Sequence, residues 1–383
     1  MRKSEQETTA KKTFWTIAAF YGLIAFEFFY MASPLAMYFY SAYQPGLNFL
    51  TRFPDLVWLT GFFLPHIVTE TSCLVINLHN VIGMILVIIG FILFCIAAIQ
   101  VYYAKLARKG MVAGGLYRYV RHPQYSAFII FGLGLLLLWP RLLVVPLFST
   151  LLFAYYFLAR AEERECSKKY GQAYRDYQNK THMFLPFGIA FINRWYSWAV
   201  ARNTRVLVTI AIYILTIFVS LILARTVQKI SIASLYTYQA GTGLYVSVTA
   251  IEDHTFQSII NTALADSNVS GRLRAAQDPV DTKFLNYIVP AEWYISEIPM
   301  QMIETHSEHY LRTGPEKYDI CKIIFTRALF AQYPDTPSQV FLTDVLRTIP
   351  VAEVWIDNRT NRVISVKDPP NQARYNQIIV PIF

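Results

Sequence analysis

Charged side chains are scarce in this chain. Asp, Glu, Lys and Arg make up 15% of its 383 residues, against about a quarter in soluble domains. The deficit excludes a disordered chain, which needs polarity and charge to stay solvated, and it argues against an ordinary cytosolic enzyme. Cysteine is scarce too. Cys73, Cys95, Cys166 and Cys321 are the only four, and none stands in a CxxC or other metal-ligating spacing. Only Cys321 lies beyond residue 224, so the second half has no internal disulfide. Acidic residues are few where the chain is most apolar: residues 1–224 carry 20 Lys and Arg but 9 Asp and Glu, whereas 225–383 carry 14 and 16. No compact basic fold surrounds the positive excess, which excludes a nucleic-acid surface. Loop charges that orient a membrane protein explain it better.

What is abundant is apolar and aromatic, 55% and 16% of the residues. A bilayer core of about 30 Å needs roughly 20 helical residues, and several runs reach that length. Residues 1–12 are polar, and Phe14–Tyr40 follows with the single charge Glu27 and a Pro at 34. That run is too long for a signal-peptide core and reads as a retained anchor. Glu27 is either a packed structural acid or a functional one. Leu74–Tyr103 has no formal charge. Tyr125–Trp139 and Leu142–Ala159 are split by Pro140-Arg141 and predict a helical hairpin, and Val206–Ala224 predicts the last span. Expected loops on one side hold eighteen Lys and Arg, and those on the other hold only Arg52 and Arg141. This asymmetry predicts a cytoplasmic N-terminus. The fold expected is an α-helical integral membrane protein of about five transmembrane helices. Residues 1–224 form its membrane domain, and 225–383 form a soluble, extracytoplasmic α+β domain. Thr181–Arg202, apolar but broken by Pro186, Gly188 and Arg194, reads as an interfacial segment. Its Phe184–Trp198 stretch is an anchor or a wall of a lipid-facing entrance.

Beyond Arg225 the pattern changes. Leu244–Ile251 alternates like a strand, His254–Ala265 reads as a helix, and Ala352–Ile356 and Val363–Val366 flank a turn-rich sequence that predicts a hairpin. About 150 residues suffice for a core of their own.

The chemistry-bearing stretch runs from Gly114 to Pro186. Tyr117, Arg118, Tyr119, Arg121, His122 and Tyr125 stand at the mouth of the hairpin. Pro123 keeps His122 extended and suits the first position of a helix. Free N–H groups beside Arg121 and His122 would then hold an anion such as a carboxylate; an interfacial basic loop with snorkelling arginines is the bland alternative. Glu162 and Glu163 follow on the second helix of the hairpin. Adjacent helical residues point about 100° apart, so one faces inward and the other is free to be solvated. Carboxylates there suit a zwitterionic, cationic cofactor.

In combination, Gly115-Leu116-Tyr117 and Arg121-His122-Pro123-Gln124-Tyr125 resemble the GxY…RHPxY signature of integral-membrane methyltransferases. These are the isoprenylcysteine carboxyl methyltransferases and their phospholipid N-methyltransferase relatives. Gly132-Leu133-Gly134 resembles that family's GxG, and Glu162-Glu163, Tyr170-Gly171, Tyr174, Tyr177 and Pro186 resemble its closing block. The resemblance covers about residues 80–187. It implies S-adenosylmethionine held by Tyr117, Arg121, His122, Pro123, Tyr125, Gly132, Gly134, Glu162 and Glu163, with Arg121, His122 and Tyr125 at the reacting end and no metal. It also implies a membrane lipid or lipidated acceptor. Ala127, Cys166 and Thr181-His182 depart from the pattern, the last beside the expected acceptor side. Cys166 has no nucleophilic role to fill, because methyl transfer needs no covalent enzyme intermediate. His182 is an interfacial polar residue or a proton acceptor for an amine or thiol. Gly132 and Gly134 read equally as helix-packing positions. A small-thiol methyltransferase, an NADPH-dependent membrane reductase and a non-catalytic sensor stand as alternatives.

Overall fold

In a computed structural model of the chain, the structure describes residues 49–50, 52–107, 110–185, 205–277, 282–295, 298–301, 315–330 and 341–370. The expected first span, with Glu27 and Pro34, lies outside them, as does the Phe184–Trp198 segment beyond Leu185.

Three helices among the described residues are long and apolar enough to cross a membrane: α1 (Leu74–Leu106), α3 (Val144–Tyr170) and α5, whose apolar part is Val206–Ala233. This fits an integral membrane protein. The hairpin is present. Its first arm, α2 (Pro123–Leu138), starts at Pro123 as its fixed φ favours, and it is a shorter apolar helix of 16 residues. Three spanning helices and this short arm stand where four of the five expected spans fall, and the fifth, Phe14–Tyr40, lies outside the described residues. The short helix α4 (Gln172–Lys180) follows α3 across Gly171, whose φ of 56° lies in the left-handed region.

The residues form two compact units. The first holds 82–136 and 144–220 among the described residues. Its helices pack at glycines. A Cβ on Gly134 would lie 2.7 Å from the Gly83 carbonyl oxygen and the Val87 nitrogen, and one on Gly90 would lie 2.6 Å from the Phe131 nitrogen. α1 and α2 therefore touch backbone to backbone, the close approach that small residues permit in lipid. Tyr125, Phe128, Leu151, Tyr155 and Ala159 form the core between the hairpin arms.

The second unit is larger than residues 225–383. It also takes in 48–81 and the hairpin turn 137–143, segments that sequence alone leaves in the membrane part. A six-stranded sheet runs in chain order: β1 (Thr237–Ala240), β2 (Gly243–Ser247), β3 (Lys283–Pro290), β4 (Ile320–Phe330), β5 (Val345–Asp357) and β6 (Arg362–Lys367). Only β2 and β3 pair in parallel. Their crossover is α6 (Asp253–Ala265) and α7 (Ser267–Ala275), the latter capped by Asp266 Oδ1, which accepts from the Asn268 and Val269 N–H groups at 2.9 and 3.0 Å. The expected strand, helix and β5–β6 hairpin are all present.

Both faces of the sheet are covered. Phe256, Ile259, Ile260 and Val269 of the crossover pack on one. On the other lie Phe62, Ile67 and Val68 with Ile232 and Leu235. That second cover explains why α5 (Arg205–Ala233) outruns the expected span ending at Ala224. Gln228 and Ser231 on its last turns and Ser234 just beyond its end stand three apart and are buried. Gln228 Nε2 donates to the Phe62 carbonyl at 2.6 Å, Ser231 Oγ to that of Phe63 at 3.2 Å, and the Ser234 carbonyl accepts from Ser72 N at 2.8 Å. Glu70 completes the attachment, accepting from the Ala250 N–H at 2.9 Å and from Lys317 Nζ at 2.8 Å.

Gly134→Val should strain the α1–α2 contact. Overpacking of this kind costs about 1–3 kcal/mol, so the detergent-solubilised chain should lose its monodisperse state at a lower temperature. Leu133→Ala, at a half-exposed neighbour, should leave it nearly unchanged. Equal thermal stability of Gly134→Val and the native chain would refute the close packing.

Candidate functional site

The site is built from four pieces of the first unit: the end of α1, the turn Gly115–Arg118 with the Arg121–Tyr125 segment, the end of α3, and α4 with the strand-like residues after it. Gly115 has φ +59°, and a Cβ there would collide with the Gln100 side-chain amide. The Leu116 N–H donates to Gln100 Oε1 at 3.2 Å. The left-handed backbone conformation is what favours Gly at this turn. Tyr177 donates its hydroxyl to the Tyr117 carbonyl at 2.6 Å, and burial pushes its pKa up to about 12, so it remains a donor.

The residues after α4 run beside the Arg121–His122 backbone. Val120 and His182 form a parallel bridge. Arg121 N–H donates to the His182 carbonyl at 2.8 Å and His122 N–H to that of Met183 at 3.1 Å. Ser126 Oγ donates to the Phe184 carbonyl at 2.8 Å. His182 therefore serves the site through its backbone, and the departure at Thr181-His182 leaves this zipper intact.

Arg121 joins these pieces. Its Nε donates to Glu163 Oε1 at 2.6 Å, and its Nη1 donates to the carbonyls of Gln178, at 3.0 Å, and Thr181. The carboxylate expected beside Arg121 is thus the protein's own. Glu163 is buried, whereas Glu162, the preceding residue, is 42% exposed at its side chain, in keeping with the 100° rotation between neighbours. Glu162 accepts a hydrogen bond from the Tyr125 hydroxyl. His122 stands between the two acids, with Nδ1 3.3 Å from Glu162 Oε2 and Nε2 3.6 Å from Glu163 Oε1. The second distance is too long for a hydrogen bond, and Nε2 is buried with no hydrogen-bond partner among the described residues.

These groups border a cavity of about 1040 Å³. Tyr117, Arg121, His122, Tyr125 and Glu162 of the expected cofactor set line it. Glu163 stands behind them, paired with Arg121. Pro123 starts α2 and is buried. Gly132 and Gly134 are absent from the lining: a Cβ on Gly132 would meet Leu151 and Phe148 at 3.2 and 3.3 Å, and Gly134 packs on α1. Their geometry is that of helix packing. Sequence reasoning missed Gln100, Tyr102 and Thr181. Gln100, the one amide side chain between Val81 and Tyr103, was the available signal for the first.

A family model described as a protein of unknown function, DUF1295, matches residues 54–181. The chain is also similar to the probable protein-S-isoprenylcysteine O-methyltransferases of Oryza sativa subsp. indica and subsp. japonica. Each is 29% identical over 118 residues, which cover 28% of this chain. The chain spans 60% of the length of these curated relatives. No solved structure matches.

Burial, the largest effect on His122, favours its neutral form. The hydrogen bond to Glu162 and the charges of Glu162 and Glu163 outweigh it and raise its pKa above the ordinary value of 6.5. With the folded value above the unfolded one, the stability from imidazolium is fully present below the unfolded value. It is lost as pH rises through the folded value. The thermal-stability gap between the native chain and His122→Gln should therefore be widest below the ordinary histidine value and narrow as pH rises above it. A gap that widens with pH would contradict a protonated His122.

Proposed function

We propose that the cavity of the first unit binds S-adenosylmethionine and that the chain transfers its methyl group to a lipid-like acceptor. The observation that carries this reading is the pairing at the cavity wall of a half-exposed carboxylate, Glu162, with a buried imidazole, His122, whose Nε2 lacks a hydrogen-bond partner among the described residues. A zwitterionic cofactor offers a cation for the first and a carboxylate for the second. The volume suits a ligand of that size, since ligand pockets run to about 300–1,000 Å³. Tyr102, Tyr117, Tyr125, Tyr174, Met111 and Val112 supply apolar walls. The similarity to probable isoprenylcysteine methyltransferases supports the same reading.

When bound, S-adenosylmethionine supplies an electrophilic methyl on a sulfonium. The protein's part is to hold the acceptor atom about 3–3.5 Å from that methyl, in line with the bond that breaks. Glu162, held in place by Tyr125, would take the cationic part of the cofactor, and His122 would face its carboxylate. Arg121 and Glu163 are positioning residues that keep the Arg121–Tyr125 segment and the residues after α4 against α3. With an anionic acceptor, charge is lost in the transition state, and a site that excludes water favours the reaction without a general base. The eighteen-to-two basic asymmetry supports a cytoplasmic cavity, where a polar cofactor arrives from water. Apolar α1 and the hairpin support entry of the acceptor from the bilayer.

Two measurements test this. S-Adenosylmethionine, and not NADPH, should raise the unfolding temperature of the solubilised chain. Glu162→Gln should weaken its binding about tenfold or more, as expected for a lost charge-assisted contact, while Glu165→Gln should leave affinity unchanged. Stabilisation by NADPH alone would replace the reading with a reductase.

Acceptors sharing one head group should show kcat/KM rising steeply with tail length, since each buried methylene contributes roughly 0.8 kcal/mol. A flat series, with turnover of a small soluble thiol, would assign a small-molecule methyltransferase instead.

A further inference from the structure

Exposed apolar side chains in the second unit are concentrated in one region of the sequence. Beyond Ala233, Ile364 is the only exposed large hydrophobic residue among the described residues. Before it, and apart from α1 and α5, the exposed ones are Phe49, Phe53, Leu56, Trp58 and Trp139. Four of these five fall within ten residues, in and just before the 3-10 helix Pro54–Thr60. Arg52 and Asp55 are exposed among them. The described part of this stretch, about a dozen residues, is well short of the roughly 20 needed to span. Its apolar side chains are nevertheless too many and too close together for a surface facing water.

The segment is fastened to the ends of helices that the membrane reading places in lipid. Leu142 N–H donates to the Gly61 carbonyl and Leu143 N–H to that of Leu59, both at 2.8 Å, tying it to the hairpin turn. Phe63 N–H donates to the Pro140 carbonyl at 2.8 Å. The Arg225 guanidinium of α5 lies 4.5 Å from the Trp58 ring centroid. Next to it in the same unit, α1 begins with Leu74, Val75, Leu78 and Val81 exposed.

We propose that the described residues from Phe49 to Trp58 form an in-plane membrane anchor. Phe49, Phe53, Leu56 and Trp58 seat in the boundary between headgroups and acyl chains, and Arg52 and Asp55 stay in the headgroup layer. The occupant is lipid because the patch is continuous with helix ends whose exposed side chains are mainly apolar: Leu74, Val75, Leu78 and Val81 of α1, and Ile222, Leu223 and Ile230 of α5. Aromatic residues flanked by Arg are the side chains that settle at this depth. The inference rests on the membrane reading of α1 and α5 and is independent of methyl transfer.

The test uses the full chain with its four cysteines replaced, reconstituted in vesicles of phosphatidylcholine and phosphatidylglycerol. An environment-sensitive fluorophore is attached through Phe53→Cys, Leu56→Cys, Phe91→Cys or Ile364→Cys, one at a time. Doxyl quenchers placed near the headgroup should quench positions 53 and 56 roughly twofold more than quenchers deep in the acyl chain. Position 91, exposed within α1, should show the reverse order, and position 364 no quenching by either. Quenching at 91 without quenching at 53 and 56 overturns the anchor and leaves a protein partner for the patch. No quenching at 91 overturns the membrane reading itself. If the cysteine-free chain is not monodisperse, benzoylphenylalanine at 53 in the native-cysteine chain gives the second measurement. A lipid adduct supports the anchor, and a protein adduct or none overturns it.

Discussion

The ion pair between Arg121 and Glu163 is the contact on which the candidate site depends. It is almost fully shielded from water, with side-chain exposures of 13% and 3%. Two charges removed from water are worth little net stability, but removing one partner of a buried pair costs about 3–5 kcal/mol. The guanidinium has no slack: its Nε is held by Glu163, and its Nη1 by the Gln178 and Thr181 carbonyls. One side chain thereby fixes the end of α3, the end of α4 and the start of α2. Everything nearer the cavity follows from it. The His122 backbone is zippered to Met183, its ring is placed between Glu162 and Glu163, and Glu162 is left to face the cavity.

This division of labour was only half legible in the sequence. The spacing of Arg121, His122, Tyr125, Glu162 and Glu163 marked them as one cluster, and helical geometry implied that adjacent acids would differ in exposure. Which acid would be buried was not legible, because that depends on the rotation of α3 about its axis, set by Tyr155 and Ala159 packing in the core. Arg121 carried the same limitation. A basic residue beside a helix N-terminus signals anion binding, and nothing local says that the anion is a glutamate 42 residues later. Gly132 and Gly134 show the opposite weakness. Their motif fits a cofactor contact as well as a helix contact, and only the packing of Gly134 on the α1 backbone and of Gly132 on Leu151 and Phe148 of α3 separates the two.

In the second unit, periodicity located the β2 strand, the α6 helix and the β5–β6 hairpin, because each alternates or repeats within a dozen residues. Recruitment of residues 62–72 to the sheet was not legible. Those contacts, Thr69 with Val248 and Glu70 with Lys317, join positions about 180 and 250 residues apart and leave no local pattern. The buried polar residues Gln228, Ser231 and Ser234 were the available clue. A helix that only crosses lipid has no use for a three-residue polar repeat, whereas one that continues into a sheet domain needs donors for the backbone it covers.

The most direct measurement of the central claim is a density map of the full chain prepared with S-adenosylhomocysteine, the demethylated cofactor. The account predicts density in the cavity between Tyr117 and Glu162, with the amino-acid end of the ligand against Glu162 and His122 Nε2 and the Arg121–Glu163 pair unbroken. Density elsewhere in the chain, or a ligand carboxylate that displaces Glu163 from Arg121, would contradict it.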